Sequence, residues 1–144
     1  MSTTVWTLIP NQYERDIYLV LSDESFYDVV TLLNDNYGFG WKDGVDFTKD
    51  DTLSAPCTIV NDETFKIVII LDKFDGSVKC YSNLAHELYH VMTHISSVTD
   101  AEMNDATTEH WAYFLSFYMD ICGQVLNEHL KEKALANDIS KNDK

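Results

Sequence analysis

The chain predicts an α+β domain, and three features carry that reading. Three strand-like segments lie in the first half of the chain, an amphipathic helical segment occupies the middle, and a long helical segment follows it. In order, Asp16-Ile17-Tyr18-Leu19-Val20-Leu21 reads as a strand. Ser22 or Asp23 starts a helix through Phe26, Val29, Val30, Leu33 and Tyr37, with Gly38 as its stop. Residues 38–56, rich in Gly, Asp and Lys, form a loop ending at Pro56. Cys57 to Val60 reads as a short strand that turns through Asn61-Asp62 into a stronger strand, Phe65 to Leu71, making a hairpin. Asp75-Gly76 marks the next turn.

The middle helix has Ser82 or Asn83 as its N-cap, and Leu84, Leu88, Val91 and Ile95 form its apolar stripe at spacings of four, three and four. A connection follows around Ser96 to Asp100. Thr99-Asp100-Ala101-Glu102 has the form of a capping box, so the last helix is expected to begin there. It runs through Trp111, Leu115, Tyr118, Cys122, Val125 and Leu126 to about Lys131. One domain is expected over residues 1–136, with 137–144 a polar, disordered tail.

Charge narrows the partners. The net charge is −14, and Arg15 is the sole arginine. Such a chain repels a phosphate backbone and an anionic bilayer, so neither nucleic acid nor membrane is an expected partner. A DNA-mimicking inhibitor would share this charge. No apolar run approaches the roughly 20 residues that span a bilayer, and Val5 to Ile9 is too short and lacks a basic flank for a secretion signal. Three widely spaced cysteines, Cys57, Cys80 and Cys122, without a Cys-x-x-Cys pair, point to free thiols in a reducing, cytoplasmic compartment.

The chemistry is concentrated in His86-Glu87-Leu88-Tyr89-His90. Residues four apart share a helix face, so His86 and His90 can hold one zinc ion, with Glu87 within reach of a water on it. Zinc lowers the pKa of such a water to about 7, and Glu87 is the general base that takes its proton. At this length and composition the pentapeptide arises by chance in about one chain in a hundred, so its context decides. Here the apolar stripe leaves both histidines on the face away from the core, and a strand precedes the helix.

Catalytic zinc needs a third protein ligand and one open position. Glu109, separated from His90 by eighteen residues, is the candidate, with Ala112 and Ser116 on its face of the last helix leaving room for close approach. Asp100, Asp105, His94 and His110 are its rivals; His94 continues the ladder but is poorly placed to close a tetrahedron. Cys80 lies near the motif, although two histidines and a carboxylate already suffice. Asp105 can orient a ligand histidine, and His110 or Tyr113 can donate to an oxyanion. Each also has an ordinary explanation as a cap, a surface group or a packed aromatic. The cluster Asp43, Asp46, Asp50 and Asp51 lacks calcium-loop spacing and reads as a solvated loop that can rim a cleft.

His86-Glu87-x-x-His90, followed at this distance by Glu109-His110-Trp111-Ala112, resembles the gluzincin branch of the zincin metallopeptidases. The likeness covers roughly residues 57 to 130 and is strongest to minimal single-domain peptidases encoded by bacteriophages and prophages. It implies a zincin-like fold, a small mixed sheet carrying the motif helix with the Glu109 helix packed across it. It also implies a Zn2+ cofactor on His86, His90 and Glu109, and a peptide or protein substrate, with the cytoplasm extending to that of an infected host cell. In that branch an aspartate four residues after the glutamate ligand supports a histidine; here Tyr113 stands there. The Cys57 to Val60 strand is the edge expected to pair with an extended peptide. Two other readings stay open: a catalytically silent zincin-like protein that binds a host protein through its acidic surface, and a protease that cuts a single partner.

Overall fold

A computed structural model of the chain describes residues 2–8, 15–41 and 54–142. Four strands form one mixed sheet in the order β1-β2-β4-β3. These are β1 (Thr3–Leu8), β2 (Asp16–Ser22), β3 (Cys57–Asn61) and β4 (Lys66–Leu71). β1 and β3 run antiparallel to their neighbours, whereas β2 and β4 at the centre run parallel. A parallel pair requires a crossover, and α1 (Phe26–Asn36) supplies it. The α+β class and the mixed sheet are those expected from the sequence.

Alternation along the central strands sorts the core into two clusters. Ile17, Leu19, Ile67, Ile69 and Leu71 face α2 (Val78–Thr99) and α3 (Thr108–Asn142), while Tyr18, Val20, Val68 and Ile70 face α1. The sheet is therefore covered on both sides, which is why β4 is apolar at almost every position. Lys66, the first residue of β4, bonds Asp16 Oδ2 at 2.8 Å, and that bond is the main cause holding its ammonium above the ordinary lysine range.

Several boundaries differ from expectation. β1 was not anticipated as a strand; it pairs with β2 from Thr3 to Leu8. α1 begins at Phe26 with Ser25 as N-cap, because Ser22 and Asp23 are engaged elsewhere. Ser22 Oγ lies 2.6 Å from Thr3 Oγ1, and Asp23 Oδ1 accepts from the Ser2 N–H. Gly38, at φ +65°, is the expected stop for α1. The hairpin of β3 and β4 forms as anticipated, but β4 starts at Lys66, because Phe65 takes a left-handed conformation (φ 58°) under the Arg15 guanidinium.

α2 is capped five residues before the anticipated Ser82, or six before Asn83. Its N-cap is Ser77, whose Oγ accepts from the Cys80 N–H, directly after the Asp75-Gly76 turn. Hydrogen bonds from Ser77, and then from the Cys80 thiol, hold the Asp75 carboxyl well below the usual carboxylate range. The capping box at Thr99-Asp100-Ala101-Glu102 does not form. Thr99 Oγ1 donates back to the Ile95 carbonyl, and Asp100 ends α2 in the left-handed region (φ 59°). The Glu102 carbonyl then accepts from Thr107 Oγ1 and Trp111 Nε1, so α3 begins only at Thr108, with Asn104 Oδ1 accepting from the Ala106 and Thr107 N–H groups. α3 continues to Asn142, so the backbone of 137–142 is helical where a structureless tail was expected.

Candidate metal centre

α2 sets the geometry of the motif. Taking the stripe of Leu84, Leu88, Val91 and Ile95 as the centre of the buried face, a rotation of 100° per residue puts Glu87 about 65° to one side. On the same side, His90 and His86 lie about 125° and 165° round. The structure agrees: Leu84, Leu88, Val91 and Ile95 are fully buried, Glu87 is 5% exposed, and the His86 side chain is 68% exposed. The motif helix thus presents a histidine pair to solvent and tucks the intervening carboxylate under its flank.

The two imidazoles converge, with Nε2 of His86 3.2 Å from Nε2 of His90. Two nitrogens sharing one tetrahedral zinc at about 2.05 Å must stand about 3.3 Å apart. That separation matches two positions on one zinc ion, and equally a hydrogen bond between the two rings. Glu87 Oε2 is 4.0 Å from His86 Nε2.

β3 supplies the wall beside Glu87. Thr58 Oγ1 lies 2.9 Å from Glu87 Oε1 and 3.2 Å from the Glu87 main-chain oxygen. Thr58 was not among the residues singled out from the sequence, although strand alternation places it on the same side of β3 as Val60, which packs on the α2–α3 core. Next to it, the Cys57 thiol is pushed up to about 12, first by burial and then by the negative charge of Glu87. β3 is an edge of the sheet, as an extended peptide partner requires.

The third ligand is not in place. Among the described residues no three His, Cys, Asp or Glu side chains come together in a metal-holding group, so the expected convergence of His86, His90 and Glu109 is not assembled. The packing of α3 gives the reason. α3 lies on the flank of α2 that carries Tyr81 and Met92, opposite the flank of Glu87. Glu109 is also about 160° round α3 from Trp111, which faces the core, and its side chain is exposed. Its turn nevertheless lies beside α2: Thr108, Trp111 and Ala112 share a largely apolar cavity of about 350 Å³ with Tyr89 and Met92.

The other candidates are scattered. His94 Nε2 is 2.9 Å from Asp62 Oδ1, tying α2 to the β3–β4 turn. Asp100 caps α2. Cys80 is buried, with its thiol directed to Asp75 Oδ1 at 3.2 Å. His110 meets Trp111 edge-on at 4.8 Å, Tyr113 is 72% exposed, and Asp105 sits in the exposed turn before α3. Asp43, Asp46, Asp50 and Asp51 lie outside the described residues. No protein-family model matches this chain, and neither a curated protein nor a solved structure shows significant similarity to it. Among the described residues no helix is long and apolar enough to cross a membrane.

Proposed function

We propose that this chain is a zinc-dependent peptidase in which His86 and His90 hold the metal and Glu87 is the general base. The observation that carries the reading is the 3.2 Å approach of the two Nε2 atoms beside a buried carboxylate. Zinc, when bound, supplies the Lewis acidity that lets a water give up a proton near neutral pH. Glu87 accepts that proton on Oε2 and returns it to the leaving amine, which needs a carboxylate close to the histidines yet sheltered from bulk solvent. β3, an edge of the sheet among the described residues and beside Glu87, aligns an extended peptide by main-chain pairing.

Glu109 remains the nominated third ligand on the gluzincin resemblance. To reach the pair, the first turn of α3 must move across Tyr89. A second reading has one observation in its favour: with no assembled three-ligand group among the described residues, a zincin-like protein that binds a host protein through its acidic surface needs no such movement.

Two measurements decide. Metal analysis of the purified protein should find one zinc per chain, lost in His86→Ala and reduced in Glu109→Ala. Loss in the first with full retention in the second removes Glu109 from the site and leaves the pair. Glu87→Ala should retain zinc while hydrolysis of casein falls by at least about 100-fold; a variant that functions normally in the cell would instead identify a binding protein.

A further inference from the structure

We infer that Thr58 is a positioning residue for Glu87: its hydroxyl holds one carboxylate oxygen and thereby aims the other at the histidine pair. The inference rests on the peptidase reading for its consequence, but not for its geometry. Thr58 Oγ1 has a single hydrogen and two nearby acceptors on the same residue, Oε1 at 2.9 Å and the main-chain oxygen at 3.2 Å. The carboxylate oxygen is the closer and the charged one, so it takes the hydrogen. The Glu87 main-chain oxygen lies inside α2, where the helix ladder already supplies a donor.

The consequence is an asymmetric carboxylate. Oε1 is committed to β3, and Oε2 is the oxygen 4.0 Å from His86 Nε2. A glutamate side chain has three rotatable bonds, and on an exposed helix face it samples many rotamers. Glu87 is 5% exposed, and a buried carboxylate with no donor would be strongly disfavoured. The Thr58 hydroxyl from the neighbouring strand therefore gives the buried carboxylate a donor and restricts its rotamer. Because Thr58 belongs to the sheet edge beside the motif, a peptide paired with β3 lies directly against the residue that aims the base.

Thr58→Val keeps the shape and the strand preference of the side chain and removes only the hydroxyl, whereas Thr58→Ser keeps the hydroxyl. In metal-free protein labelled with 13C-glutamate, the Glu87 13Cδ signal, assigned by its loss in Glu87→Gln, should move in Thr58→Val and stay in place in Thr58→Ser. With zinc restored and casein as substrate, Thr58→Val should lower kcat by about 10- to 100-fold at unchanged KM and zinc content. Thr58→Ser should stay within about threefold of wild type. A 13Cδ signal that ignores the hydroxyl, or a Thr58→Ser enzyme as slow as Thr58→Val, overturns the assignment. If wild-type protein leaves casein intact while the 13Cδ signal still follows the hydroxyl, the general-peptidase reading falls and the tether stands.

Discussion

Nε2 of His86 and Nε2 of His90 stand 3.2 Å apart on a face of α2 that contributes nothing to the core. Removing His86 should therefore cost the metal-free fold less than about 0.5 kcal/mol, as at other exposed positions. Zinc changes the comparison. A metal that binds only the folded chain adds about 2.7 kcal/mol of stability at a free concentration 100 times Kd. For a domain of this length that raises Tm by roughly 10 °C. Calorimetry with and without zinc should show this rise in wild type and less than about a fifth of it in His86→Ala. An equal rise in both proteins would place the metal elsewhere.

How much of this was legible follows from how local each feature is. β4 was readable because Ile67 to Leu71 are apolar on both faces, the mark of a strand covered on both sides. The histidine pair was readable because helix geometry alone puts residues four apart on one face. β1 was not, since threonine at positions 3, 4 and 7 dilutes its apolar pattern and only pairing with β2 completes it. Thr58 escaped notice for a similar reason: its contact with Glu87 spans 29 residues of sequence. Glu109 shows the opposite case. Its spacing from His90 fits a family pattern, but where its carboxylate goes depends on which flank of α2 receives α3, and no local rule sets that.

The connection from α2 to α3 depends on Trp111, which is buried and donates through Nε1 to the Glu102 carbonyl at 3.2 Å. Trp111→Phe keeps most of the apolar contact and loses the donor. The Glu102 carbonyl still accepts from Thr107 Oγ1 at 2.6 Å, so the loss should be modest, about 1 kcal/mol in urea unfolding. Trp111→Ala empties the site and should cost about 3–5 kcal/mol. Similar losses for the two variants would mean that the indole N–H bond, rather than packing, anchors the start of α3.

Cys122 gives the fold a weakness at alkaline pH. Its thiol is fully buried in the α2–α3 core, and burial pushes its pKa from the ordinary 9.0 to about 12. Below pH 9 the thiol is protonated in both the folded and the unfolded chain, and its contribution is fully present. Above pH 9 the unfolded chain releases the proton while the folded chain keeps it, so each further pH unit lowers stability by about 1.4 kcal/mol until the folded pKa is reached. Cys122→Ala cannot pay this penalty, although the cavity it leaves should make it less stable near neutrality. Urea unfolding at pH 8, 9, 10 and 11 should therefore show wild type losing its advantage over Cys122→Ala progressively above pH 9. Taking the difference between the two proteins cancels the tyrosines and lysines that titrate in the same range. A gap that stays constant from pH 8 to pH 11 would mean that the thiol ionises equally easily in both states and would overturn the prediction.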